Sequence, residues 1–407
     1  MSSRRRRSPN RCAAPVAKVE RRLWPTAFAS ALAVLVLAPI VVRLAGTGND
    51  YIGHRNLAVE FKNHLALYHP HFLLQALVVG VDFVLPGDME RAMVVTVLLA
   101  YAATAATVFR VVLRHTSSTA VALTLTLALL LASSAAFLFP LDRHLYYGYV
   151  PATVFHSPTM VILKPLALVS FGYATAALWP REGKNARTWI ACALLTLACA
   201  LAKPSYTVCI LPVLAIVAAK RTVFRLRIDW RLVILGFLLP AAAILVLQYN
   251  RTFGDDQIAG TIPGAKHIVF APLAVMKLRS SWLAVKLLLS LLFPLSVLAI
   301  SFRRARENSA LILAWVLFAV GAGIAYLLAE SGPRMPHGNM IWSAQIAIFI
   351  LFVQSAAHMS AYFGGALTAA PPGERRRAVA GFCCLLLHTA FGIALYLGEY
   401  VGVARYW

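Results

Sequence analysis

The sequence predicts an all-α polytopic membrane protein: a bundle of about 11 transmembrane helices, 12 if the segment 71–86 also spans, with an outer first loop carrying interfacial helices. Three observations carry this reading. Of the 407 residues, 60% are hydrophobic and only 13% are charged. The mean hydropathy is +0.74. Apolar runs close to the roughly 20 residues that cross a bilayer recur from one end of the chain to the other. A net charge of +23 would suggest nucleic acid in a soluble chain, but the basic residues fall in short runs between apolar segments, the pattern that orients membrane helices. Membrane lipids rather than nucleic acid are the expected surroundings.

Taken in order, residues 1–23 form a basic tail with Arg4 to Arg7 ahead of a Pro, Asn and Ala linker. The first apolar run, from Trp24 to Ala45, is too long for a signal-peptide core, so it is read as a retained span behind a cytosolic tail. Expected spans are 24–46, 91–113, 117–140, 160–179, 188–203, 206–220, 231–248, 282–301, 309–328, 341–361 and 379–399, which together make 24–399 a single transmembrane domain. The stretch 71–86 is apolar but short. It carries Asp82 and ends in Pro86-Gly87-Asp88, which favours a helix lying in the interface or re-entering it.

Charge placement supports that choice. With eleven spans, 24 of the 38 lysines and arginines lie on the cytosolic side, including Arg110, Arg114, Lys220, Arg221, Arg303, Arg304 and Arg375 to Arg377. A span at 71–86 would move sixteen of those charges outside, against the positive-inside rule. The outer segments are then 47–90, 141–159, 249–281, 329–340 and the tail 400–407. Five of the six cysteines, Cys192, Cys199, Cys209, Cys383 and Cys384, sit in apolar spans and Cys12 in the tail. The pattern offers neither a disulfide framework nor a zinc site. No repeat period is found along the chain, which weakens an inverted-repeat transporter.

Three polar stretches share the outer side, where ionisable groups are costly and are usually kept for chemistry or transport. In the first, Asp50 and His54 are four residues apart and would share a helical face. The imidazole could tune a carboxylate that acts as a base, or Asp50 could simply cap a helix. The same loop carries His64, His69 and His71, whose spacing suits headgroup contact better than a metal. In the second, His156-Ser157-Pro158-Thr159 can restart a helix with free N–H groups for an anion. Lys164-Pro165 then sets a cation one turn into an apolar span, where it needs a polar cavity or an anion unless it snorkels. Lys203-Pro204 repeats the device, and the two lysines could cradle a lipid-linked phosphate or diphosphate, or anchor two hairpins separately. The third stretch holds Glu330, Arg334, His337 and Asn339 ahead of Trp342; Arg334 could bind phosphate or form a rim ion pair with Glu330. Asp255 and Asp256 mark a further outer loop.

Asn49-Asp50-Tyr51 with His54, His69-Pro70, His156-Ser157-Pro158-Thr159 with Lys164-Pro165, Lys203-Pro204-Ser205, and Glu330 through Asn339 with Trp342 together resemble the GT-C superfamily of membrane glycosyltransferases, in particular its bacterial members. The resemblance implies a multi-helix fold with its active site at the outer membrane face and a sugar donor carried on polyprenyl phosphate. It also implies an inverting transfer to an envelope glycan, lipid or protein, with Asp50 as base. The catalytic pair would be Asp50 and His54, and substrate would be held by His69, His156, Lys164, Lys203, Glu330, Arg334, His337 and Asn339. The expected location is the bacterial inner membrane, with the N-terminus cytosolic and the C-terminus periplasmic. Two features depart from the family pattern: no second acid adjoins Asp50, and no soluble C-terminal domain follows. No cofactor or metal ligand set is assigned, and dependence on a divalent metal stays open. A flippase or carrier for lipid-linked saccharides, or a non-catalytic envelope-assembly subunit, would use the same basic cavity without a base.

Overall fold

The structure, a computed structural model, describes residues 23–64, 70–116, 118–180, 186–253, 267–363 and 372–402. It is overwhelmingly helical. Without water, each backbone N–H and C=O must be satisfied within its own segment, which leaves helices as the form for lone spans. The chain begins with α1 (Leu23–Thr47), α2 (Asn49–His64), α3 (Leu73–Val84), α4 (Met89–Leu113), α5 (Thr119–Leu131) and the short α6 (Phe139–Asp142). It continues through α7 (Pro158–Leu178), α8 (Ala186–Ala202), α9 (Ser205–Val223) and α10 (Leu239–Phe253), the last preceded by a π-helical turn over Leu232–Leu238. The remainder is α11 (Ala274–Lys277), α12 (Leu283–Ser290), α13 (Leu292–Ala305), α14 (Ser309–Leu327), α15 (Ile341–Phe363) and α16 (Pro372–Val401). One antiparallel ribbon joins β1 (Ile268–Phe270) to β2 (Leu328–Glu330), with Ile268 opposite Glu330.

Eight described helices are long and apolar enough to cross a membrane, and a ninth results if α12 and α13, bent by 63°, are one broken span. The chain is therefore an all-α multi-pass membrane protein. At 12 residues, α3 is about 18 Å long, well short of the ~30 Å hydrocarbon core. It packs beside α2 and α4 and buries Leu74, Gln75, Val78 and Asp82.

The expected span 117–140 is cut short, because α5 ends at Leu131 and the chain is non-helical from Ala132 to Ala136. Serines compete for backbone hydrogen bonds, and here the unwound backbone finds partners on α16. Ser133 N–H donates to His388 O at 3.0 Å, and the His388 ring joins two helix breaks. Its Nδ1 donates to Ser133 O, while its Nε2 accepts from Phe293 N–H at 3.4 Å, near the start of α13. Close approach is possible because residue 392 is glycine; a Cβ there would stand 1.5 Å from Leu131 O.

The bundle is organised around α15, in which every residue from Ile341 to Ser360 is buried except Trp342 and Gln354. That helix also serves as a ruler. At its far end, about 24 Å from Trp342, His358 meets Ser301 Oγ at 3.0 Å and Asn308 Nδ2 at 3.1 Å, with Arg304 and His115 in electrostatic range. Basic runs that flank α4 and α13 thus gather at one end of the bundle, and the polar stretches around Asp50, His156 and Lys203 gather near Trp342, at the other.

Candidate functional site

The site is roofed by α2, whose position is set by a row of side chains along its length. Tyr51 is buried and its hydroxyl donates to Phe155 O at 3.2 Å. His54 Nδ1 lies 2.9 Å from Gln75 Nε2 on α3. Arg55 pairs with Glu90 on α4 at 2.5 Å, and Lys62 pairs with Asp82 on α3 at 2.8 Å. Glu60 and His64 approach at 3.8 Å on the exposed face, while Asp88 caps α4 by accepting from Glu90 N–H at 3.0 Å. Each acid of the first loop therefore has a structural partner except Asp50, which forms no ion pair or hydrogen bond among the described residues.

What Asp50 meets is the field of Lys203. That ammonium, at the tight join of α8 and α9, is 3.3 Å from Thr159 Oγ1 and 3.5 Å from Ser157 Oγ, and 3.8 Å from the Trp342 ring centroid. Burial pulls the lysine down to about 8, with Asp50 opposing the shift. The same carboxylate helps to raise the Tyr51 phenol, after burial, Tyr101 and Glu399. Pro158 sits at the first turn of α7, so the hydroxyls that hold Lys203 stand where the backbone N–H groups of a helix start are free. Lys203, Ser157, Thr159 and Trp342 make one contiguous group, with Asp50 in electrostatic range of its lysine.

Below it lies Lys164, 2% exposed, with Nζ 4.6 Å from the Phe349 ring centroid and no hydrogen-bond partner among the described residues. Trp342, Gln345 and Phe349 fall at i, i+3 and i+7 on α15, so they form a stripe on one face of that helix. Gln345 is 2% exposed and both of its amide atoms lack partners among the described residues. The two lysines thus sit two helical turns apart, about 10 Å, each against an aromatic ring of the same stripe.

His156 enters from the side. Its Nδ1 is 3.6 Å from Glu399 Oε1, and its ring meets Tyr146 edge-on at 4.9 Å and Trp342 at 6.1 Å. Glu399, near the end of α16, also accepts from the Tyr146 hydroxyl at 3.5 Å. Reading the sequence alone missed this acid, which was absorbed into an apolar span; a lone carboxylate at the end of such a span was the signal that could have exposed it.

The third polar stretch is largely self-contained. Glu330 Oε1 pairs with Arg334 at 3.2 Å and Oε2 accepts from Asn339 Nδ2 at 2.6 Å. The Tyr147 hydroxyl donates to Pro336 O at 2.8 Å, and Gly338 turns the chain with φ +63° against Ile341. His337 is exposed. These residues shape the entry to α15 three residues before Trp342, where Arg334 is engaged by a buried Glu330. His69, Asp255 and Asp256 lie outside the described residues. Among those described, no three His, Cys, Asp or Glu side chains are grouped to hold a metal ion. Neither a family model nor a curated protein matches the chain.

Proposed function

We propose that the protein is an inverting glycosyltransferase of GT-C type, acting at the periplasmic face of a bacterial inner membrane on a sugar carried by polyprenyl phosphate. The observation that carries this reading is the contrast within the first loop: Asp88, Glu90, Asp82 and Glu60 have structural partners, whereas Asp50 lies in the electrostatic range of a half-buried lysine held by two hydroxyls. An uncommitted carboxylate beside a cation placed for an anionic group suits acid–base chemistry on a phosphorylated substrate. On this reading α1 through α16 form about eleven spans, with α3 interfacial, the N-terminus cytosolic and the C-terminus periplasmic, as the basic residues direct.

In the proposed reaction Asp50 takes the proton of an acceptor hydroxyl on an envelope glycan, lipid or protein. The hydroxyl oxygen forms a bond to the anomeric carbon as the bond from that carbon to the phosphate oxygen breaks, and the electron pair leaves with the polyprenyl phosphate. Lys203 offsets the charge gathering on the leaving group, with Lys164 deeper along the lipid's path. His54 orients α2, and with it Asp50, through its contact with α3.

Asp50→Asn keeps size while removing the base, so transfer should fall by about 10² to 10⁴-fold with donor binding retained. Protein reconstituted in liposomes with labelled lipid-linked sugars and a panel of envelope acceptors provides the assay. Undiminished transfer by the Asn variant would overturn the assignment. Loss of stability by about 1 kcal/mol with no loss of turnover would mark a helix cap instead, and continued translocation of lipid cargo without transfer would mark a carrier.

A further inference from the structure

The Glu399 carboxylate is 2% exposed at its side chain. Its Oε1 has His156 at 3.6 Å and the Tyr146 hydroxyl at 3.5 Å, but its Oε2 has no hydrogen-bond partner among the described residues. Tyr101, 1% exposed, carries a second hydroxyl in the same condition, and both it and Tyr51 lie within electrostatic range of Glu399. A buried carboxylate lone pair and a buried phenol without partners are each costly in a membrane protein. Around them the walls are aromatic: Tyr146 and Trp342 face His156 edge-on, and Phe155 meets Tyr396 at 5.6 Å. Open acceptor and donor atoms between ring faces and edges match a polyol, whose hydroxyls hydrogen-bond in the plane of its ring and whose C–H groups pack on aromatic faces.

This group adjoins the Lys203 site. His156 immediately precedes Ser157, whose hydroxyl contacts Lys203, and Trp342 lies between, 3.8 Å from Lys203 Nζ and 6.1 Å from the His156 ring. One glycosyl phosphate can therefore reach both, with its phosphate on the lysine side of Trp342 and its sugar on the carboxylate side.

We propose that Glu399, Tyr101 and Tyr146 form a sugar-recognition subsite that binds the ring hydroxyls of a lipid-linked saccharide, with His156 positioning the carboxylate. The assignment rests on the reading of Lys203 as phosphate anchor, and the test separates the two.

Binding of undecaprenyl phosphate, and of the same lipid phosphate bearing mannose, glucose, galactose or arabinose, would be measured on full-length protein in nanodiscs. Wild type should prefer at least one sugar-bearing lipid over the bare lipid phosphate by about tenfold or more, the worth of hydrogen bonds to a buried charge. Glu399→Gln should erase that preference and leave bare lipid phosphate binding unchanged. Tyr101→Phe, which removes a hydroxyl with no hydrogen-bond partner among the described residues and so should leave the fold intact, should reduce the preference in the same direction and decides the matter if Glu399→Gln does not fold. Lys203→Met should weaken both classes of lipid equally. The methyl glycoside of the preferred sugar, which carries no phosphate, should compete in wild type and not in Glu399→Gln, even if Lys203 proves irrelevant. Full preference in both the Gln and Phe variants, or no preference in wild type for any sugar-bearing lipid, would overturn the proposal.

Discussion

Lys286 and Lys164 are both lysines inside apolar helices, 0% and 2% exposed, each against an aromatic ring. Their surroundings differ in what they leave unsatisfied. Lys286 donates to Asp142 and, at 2.6 Å, to the Ser280 hydroxyl. Asp142 in turn accepts from Ser281 N–H at 3.2 Å and His144 N–H at 3.4 Å. Lys164 has no such partner among the described residues. Burying the two ammonium groups costs the same kind of desolvation energy. In the first case the fold offsets it internally, tying α6 and the loop after it to the broken α12; in the second no described hydrogen-bonding group offsets it. Burial of charge alone therefore does not single out Lys164 in this chain; what separates it from Lys286 is burial without a described partner.

That comparison breaks most decisively at the Asp142–Lys286 pair. Asp142→Ala leaves an ammonium buried with a single hydroxyl partner, and should cost about 3 to 5 kcal/mol. Lys286→Met should cost less, because the Asp142 carboxylate keeps its backbone donors and is 17% exposed. Unfolding in detergent followed by intrinsic fluorescence gives both values; equal losses would show that the cation is not the costly member. The pair also has a definite pH sign. Burial pushes the Asp142 carboxyl up, but the hydrogen bond from Lys286 and those from Ser281 and His144 outweigh it, leaving it below its ordinary 3.8. Its contribution is present above that value and is lost as pH falls through the lower folded one.

The next effect belongs to the broken middle of the bundle. A Cβ at Gly392 would stand 1.5 Å from Leu131 O, while one at Gly172 on α7 would meet nothing within 4 Å. Gly392→Ala should therefore cost about 1 to 3 kcal/mol or more by forcing α16 from the unwound segment. Gly172→Ala should be neutral or stabilising by up to about 1 kcal/mol. Thermal melts of the two variants side by side provide the check, and a tolerated Gly392→Ala would show that the His388 junction is loosely packed.

Lys164 then supplies the converse of Lys286. Lys164→Met removes an uncompensated cation, so the empty protein should gain about 1 to 2 kcal/mol and lose most of its stabilisation by undecaprenyl phosphate. A loss of stability like that of Lys286→Met would place Lys164 with the structural lysines. Equal stabilisation of variant and wild type by the lipid would remove it from the ligand's path.

Much of this was legible in the chain. Apolar runs marked the helices because a span has to satisfy its own backbone, and Lys164, Lys203 and Asp50 stood out because charge beside apolar sequence is rare. Partnerships were not legible. Asp142 and Lys286 are 144 residues apart, and nothing local distinguishes Lys286 as paired from Lys164 as open. Glu399 and His156 meet only because the end of α16 returns to the loop ahead of α7. The unwinding after Leu131 was hidden because Ala132 to Ala136 are small and apolar enough to read as helix, and its stabilising partners lie on α16 and at the α12–α13 break. The pairing of Glu90 and Asp82 with Arg55 and Lys62 of α2 spans 35 and 20 residues and leaves no local mark.

The smallest expected effect is read through pH at Lys203. Burial holds its ammonium near 8, below the ordinary 10.5 of lysine. Charged Lys203 therefore costs the empty protein stability at every pH below about 8, and the cost is relieved as pH rises from there toward 10.5. Anion binding runs the other way, because it needs the charge. Between pH 7 and pH 9 the charged fraction of the free site falls by about tenfold, so affinity for undecaprenyl phosphate should fall by about the same factor while the empty protein becomes slightly more stable. Lys203→Arg keeps a cation throughout this range and should flatten the binding profile without abolishing it. If wild type shows a flat profile and the Arg variant matches it, Lys203 is a hairpin anchor against Trp342, and the phosphate contact passes to Lys164 alone.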